Sequence, residues 1–211
     1  MARHTLGRWI AAALAALVVP FVAPGLVPAE VTVKGDQAAW AEIGAAYKKL
    51  NALSGYRMKI SGGQGAQEIV VEVAPPGSTH AVIRMDSGTM ETVNVNGETR
   101  FRMNVQGAPG GWQCRTATPP MPAPRDPTSV QGAVEVSRGP DTTVEGTPVH
   151  TYIYTSVTNA QGQDVTTKTT LYVGTQTGLP RRVVTGTAGG ASTIDYYDYG
   201  AKIAITLPPC G

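Results

Sequence analysis

The sequence predicts an α+β domain that is mostly antiparallel sheet, with about ten or eleven strands behind one N-terminal amphipathic helix. Three observations carry this. Apolar residues recur at helical spacing only between Asp36 and Gly55. After Gly55 nearly every apolar run alternates with polar residues, the period of a half-buried strand. Turn dipeptides and glycine clusters separate these runs at short intervals, which joins neighbours as hairpins.

The helix comes first. Gly35-Asp36 offers an N-cap and Gly55 a C-terminal stop. Between them Trp40, Ile43, Tyr47, Leu50 and Leu53 form one stripe, with Glu42, Lys48 and Lys49 mainly elsewhere. Such a stripe has to lie against another apolar surface.

Residues 56–61 alternate Tyr56, Met58 and Ile60 with Arg57, Lys59 and Ser61. Strands are then expected over 68–74, 80–86, 90–96 and 99–105, with Pro75-Pro76-Gly77, Ser87-Gly88 and Asn96-Gly97 as turns. By alternation Met58 shares a face with Ile60, Ile83 with Met85, and Phe101 with Met103. Met90 lies opposite Val93 and Val95, which points it outward. Residues 107–129 break the rhythm, and five prolines fall within 115–129, so this is a loop. Strands resume over 133–137, 149–157, 165–173, 181–187, 192–198 and 203–207. Thr177-Gly178-Leu179-Pro180 reads as a hairpin turn, with φ > 0 available to Gly178. The arginines after it, Arg181 and Arg182, cannot both face outward in a regular strand, so an irregular strand start is expected.

The chain has 211 residues, which suits one domain. Residues 1–29 have the layout of a secretory signal peptide: Arg3, His4 and Arg8, an apolar run over 10–19, then Val27-Pro28-Ala29 before Glu30. The run is too short to span a bilayer, and no cysteine sits at the cleavage point. Without this segment two arginines are lost, which leaves 15 basic and 15 acidic side chains and a formal charge of zero in residues 30–211. A neutral domain has no long-range field for nucleic acid or an anionic membrane. Export makes Cys114 and Cys210 a disulfide pair. Trp112 is expected to pack against that bridge.

Catalytic chemistry finds no constellation here. His80 and His150 each stand alone in a strand-like run, and no GxSxG, Cys–His or metal-ligand pattern appears. Asp195 and Asp198 sit among Tyr196, Tyr197 and Tyr199 in an aromatic-rich strand, and do not read as an acid/base pair. No enzyme, cofactor or metal is expected.

Four stretches, in order, carry a family resemblance. LNALSGYRMKIS (50–61) leads a helix into an alternating strand, and APPGSTHAVIRMD (74–86) places Arg84 in a strand after prolines. VNVNGETRFRM (93–103) is a valine, Asn-Gly turn and aromatic strand, and LYVGTQTGLPRRVV (171–184) a strand, Thr-Gly-Leu-Pro and strand. Together they resemble the LolA-like proteins, the superfamily of the periplasmic lipoprotein carrier and its lipid-binding relatives, over most of residues 36–207. The resemblance implies an incomplete β-barrel with the helix against its concave face. It implies reversible burial of a lipid or a lipoprotein acyl chain, in the periplasm or outside the cell. The cavity-lining residues would be Trp40, Ile43, Tyr47, Leu50, Met58, Ile60, Ile83, Met85, Phe101 and Met103. The helix would be a lid, the strands of 56–105 the wall, and the 115–129 loop a gate or partner surface. Methionine suits a cavity that fits variable chains, although it also fills gaps in an ordinary core. A different reading stays open: a protein-interaction or sensory module on the same scaffold, with a partner in the envelope.

Overall fold

A computed structural model describes residues 31–62, 67–105, 108–115, 127–129, 132–160, 163–187 and 190–211. The expected signal peptide and most of the proline-rich loop lie outside these residues. After β1 (Thr32–Gly35) comes the helix α1 (Gln37–Asn51). The Asp36 carboxylate accepts from the Ala39 N–H at 2.9 Å and caps the helix, while Lys48 and Lys49 stand in its last turn, favourable to the helix dipole. The next strands are β2 (Tyr56–Gly62), β3 (Glu68–Ala74), β4 (Ser78–Met85), β5 (Gly88–Val95) and β6 (Glu98–Val105). Two short pieces follow, β7 (Ala108–Pro109) and β8 (Gln113–Arg115), then a 3₁₀ turn, Pro127–Ser129. The chain continues as β9 (Ala133–Arg138), β10 (Thr142–Val144), β11 (Thr147–Ala160), β12 (Gln163–Gly174), β13 (Pro180–Thr187) and β14 (Gly190–Tyr197).

All of these strands join one sheet, in the order β1-β9-β11-β12-β13-β14-β2-β3-β4-β5-β6-β7, with β10 on β11 and β8 on β6. The mostly antiparallel α+β class is as expected, but the sheet is not one meander in chain order. β2–β6 and β11–β14 are two meanders joined where β14 pairs with β2. β1 pairs with β9 in parallel, which places two pieces about a hundred residues apart at one edge. β1, β7, β8 and β10 have two to four residues each, too few to show an alternation.

One expected strand is absent. Residues 203–207 alternate in burial but form no ladder, and 201–211 run as an extended tail. The tail lies over a face of the sheet whose hydrogen bonds are already used between strands, so the tail finds no edge to join.

The Thr-Gly-Leu-Pro hairpin is as predicted: Gly178 has φ 64 and Pro180 opens β13. Tyr172 pairs with Arg182 and Val173 with Pro180, so Arg181 is an extra, bulged residue. The bulge removes the conflict between the two arginines, and both reach Glu145, Arg182 at 2.8 Å and Arg181 at 4.0 Å.

Candidate functional site

Register decides which side chains share a face, because directly opposed residues of an antiparallel pair point the same way. One row crosses seven strands as Leu171, Val183, Ile194, Ile60, Ile69, Ile83 and Met90, and Met103 of β6 extends it. A second row beside it holds Tyr196, Met58, Val71, Ala81, Thr92 and Phe101. Met90 therefore faces inward with Met103. The expectation that it points outward is corrected, because Val93 and Val95 lie on the polar face, where covering segments bury Val93 to 5% exposure. Alternation within β5 had been oriented by its valines, and only the pairing with β4 orients it properly.

The helix covers part of this apolar face. It packs against β1, β9, β13 and the Pro127–Ser129 turn. Ala39, Ile43 and Leu50 are fully buried, and the helix stripe forms one core with Met58, Val71, Tyr152, Leu171, Val183 and Tyr196. Trp40 meets Tyr154 edge to face at 5.7 Å. Glu42 accepts from the Tyr152 hydroxyl and from Arg138, and Lys49 donates to the Thr177 carbonyl, so both ends of the helix are tied to the sheet. Burial and the Glu42 charge push the Tyr152 hydroxyl up, and burial does the same to Tyr196.

Beyond the helix the face opens. Ile60, Met85, Met90 and Phe101 are half-buried, while Met103 is 46% and Val105 45% exposed. The ten residues singled out from the sequence thus fall into two groups. Trp40, Ile43, Tyr47, Leu50 and Met58 lie in the packed core, while Ile60, Met85, Phe101 and Met103, with the buried Ile83 among them, form a patch over β2 and β4–β6. Ile69, Met90 and Val105 belong to the same patch and were missed. For Ile69 the signal was present in the alternation of residues 68–74.

Two cavities are described besides this patch. One, of about 260 Å³, is on the polar face, between Glu72, His80, Glu91 and the tail at Ile205, with Trp112 at its side. The other, of about 410 Å³, borders the β4–β5 turn at Arg84, Met85, Asp86 and Thr89. The polar face carries paired charges. Glu72 holds Arg57 at 2.8 Å and His80 at 3.2 Å, and Glu91 accepts from Arg102 at 2.9 Å. His80 is therefore not isolated, since pairing of β3, β4 and β5 sets it between two carboxylates. Arg84 stands exposed near Glu68, Asp195 holds Arg182, Asp198 holds Arg57, and His150 meets Asp141. Each of these acids is engaged by a cation or a histidine, and among the described residues no three ligands gather around a metal position. Trp112 lies under the Arg102 guanidinium at 4.7 Å, so its ring has a cation as a partner. The expected disulfide, Cys114–Cys210, is present.

The fold, a large open sheet of mostly antiparallel strands with one helix, is shared with solved structures. The lipoprotein LppX of Mycobacterium tuberculosis is similar at a TM-score of 0.61 and 10% identity, over 82% of this chain and 100% of that one. LprF of Mycobacterium bovis is similar at 0.57 and 14% identity, over 84% and 100%. At such identities the likeness is one of fold. No protein-family model matches the chain, and curated sequences yield no relative.

Proposed function

We propose that this chain is a non-enzymatic binding protein for a hydrophobic ligand, a lipid or a lipoprotein acyl chain, held on the apolar face of its open sheet. Residues 1–29 act as the export signal, and the mature protein works in the periplasm or outside the cell without a cofactor. One observation carries the reading: the row Ile60, Ile69, Ile83, Met90 and Met103 runs from the edge of the packed core, past the buried Ile83, to Met103, which with Val105 is nearly half exposed. Exposed apolar area on the inward side of an open sheet gains free energy when covered, at ~25 cal/mol per Å². Methionines at Met85, Met90 and Met103 let one surface fit chains of different shape. The helix residues Trp40, Ile43, Tyr47 and Leu50 serve as the lid's inner surface, and the ligand lies beside them. The neighbours' LolA-like fold supports this choice.

Native mass spectrometry of the exported protein should show co-purified lipid, and the delipidated protein should bind the uncharged dye Nile red. Met103→Glu should weaken dye binding by about tenfold, because a ligand would then bury an unpaired carboxylate. It should change stability by less than about 0.5 kcal/mol, since the side chain is nearly half exposed. Absence of both lipid and dye binding would end this reading.

A second reading, a protein-interaction module, is favoured by the tight packing beneath the helix, where Ile43, Leu50 and Leu171 have no exposed surface. The same patch would then meet an envelope protein. A chain that binds no dye but loses a cross-linked partner with Met103→Glu fits that reading.

A further inference from the structure

The apolar face of β2–β6 changes character along its strands. At the end away from Met103 and Val105, a third row runs Tyr56, Val73, Thr79, Asn94 and Thr99 across directly paired strands. Four of its five members are polar, yet all five are 7% exposed or less. The Asn94 amide donates to the Thr99 hydroxyl at 2.9 Å. Among the described residues the Tyr56 hydroxyl, which is buried, finds no hydrogen-bond partner. A buried hydroxyl without a partner is costly, so its retention asks for a group that completes it. Over β2–β6 this face carries Tyr, Met, Ile, Val, Ala, Thr, Asn, Phe and Gly, and no charged residue. Four residues separate Asn94 from Met90, about 13 Å at the rise of a strand.

We propose that this row is a headgroup subsite, taking an ester or hydroxyl oxygen of an uncharged lipid whose chain lies along the rows towards Met103 and Val105. The inference rests on the hydrophobic-ligand reading above and narrows it. Tyr56 supplies a donor to a carbonyl or ester oxygen, and Thr79, two strands along the same row, supplies a further hydroxyl. A carboxylate or phosphate would be buried with no cation to pair it on this face, which disfavours anionic lipids.

Displacement of Nile red from the delipidated full-length mature protein tests this. Monoolein should displace the dye at a concentration about tenfold lower than oleate at a pH where oleate is ionised. A diacylglyceryl lipopeptide, which carries the same uncharged esters, should behave as monoolein does. Tyr56→Phe should raise the monoolein concentration needed by about three- to tenfold relative to any change in the oleate concentration needed. Asn94→Leu is a second variant, with its circular dichroism and thermal melt as the check on folding. Oleate displacing as well as monoolein overturns the subsite, as does unchanged monoolein displacement in both variants. Failure of the wild-type protein to bind any dye or lipid is a different result, and removes the hydrophobic-ligand reading itself.

Discussion

Glu72 shows what single residues contribute on the polar face. Burial pushes its carboxyl up, but hydrogen bonds and charges from Arg57 and His80 outweigh this and hold it below the usual range. Glu68 is held down in the same direction, chiefly by its hydrogen bond to Lys59. A carboxyl with a lower pKa folded than unfolded gives stability that is fully present above its unfolded value. That stability is lost as pH falls through the folded value. The melting temperature should therefore drop as pH falls below about 4.5. Glu72→Gln should flatten part of that drop while lowering stability near neutral pH, as followed by thermal melts from about pH 6 to about pH 3. Of the trio Arg57, Glu72 and His80, one ingredient was legible: the alternation of residues 56–61 set Arg57 apart from Tyr56, Met58 and Ile60. Their meeting was not, because it depends on which strands are neighbours.

Among elements, the helix was the most legible and the edge strand β1 the least. The helix declares itself through a 3.6-residue period sustained over fifteen residues and a capping aspartate. β1 has four residues and a partner about a hundred positions away, so no local pattern reveals it. Its end is fixed by Gly35, at φ +85, where an added Cβ would lie 2.2 Å from the Val136 carbonyl oxygen. That carbonyl also accepts from the Asp36 N–H at 2.9 Å, next to the helix cap. Gly35→Ala should therefore cost more than about 1 kcal/mol and loosen β1, the start of α1 and the β9 edge together. Chemical denaturation gives the cost, and hydrogen exchange over 32–36 and 133–138 locates it. A variant as stable as wild type would mean that β1 pairing contributes nothing. The methionine of β5 teaches a related lesson. Its strand was recognised but its facing was reversed, since Met90 and Val93 alternate equally well in either orientation.

Across the whole molecule, the Cys114–Cys210 bridge ties the ladder-free tail to the β8 segment, over a separation of 96 residues and a Cα–Cα distance of 5.8 Å. A loop of that size corresponds to roughly 4–5 kcal/mol in the chain-entropy model, an upper value. Cys114→Ser should lower stability by a few kcal/mol against oxidised wild type, and show no loss against reduced wild type. Hydrogen exchange in 201–211 should rise in the variant, because the tail keeps few backbone partners besides Gly211 N–H to the Trp112 carbonyl. Equal stability of oxidised and reduced wild type would remove the bridge from this account.

By itself, the sequence determined what neighbouring residues decide: helix against strand, the turns, the pairing of the two cysteines and the inward residues of most strands. These depend on periods of two and 3.6 and on backbone limits that act within a few positions. Tertiary structure alone decided that β14 sits beside β2, that residues 201–211 form a tail and not a strand, and that the helix covers only part of the apolar face. Those outcomes turn on contacts between positions far apart in the chain, where burial and pairing select among arrangements that the local pattern leaves equal.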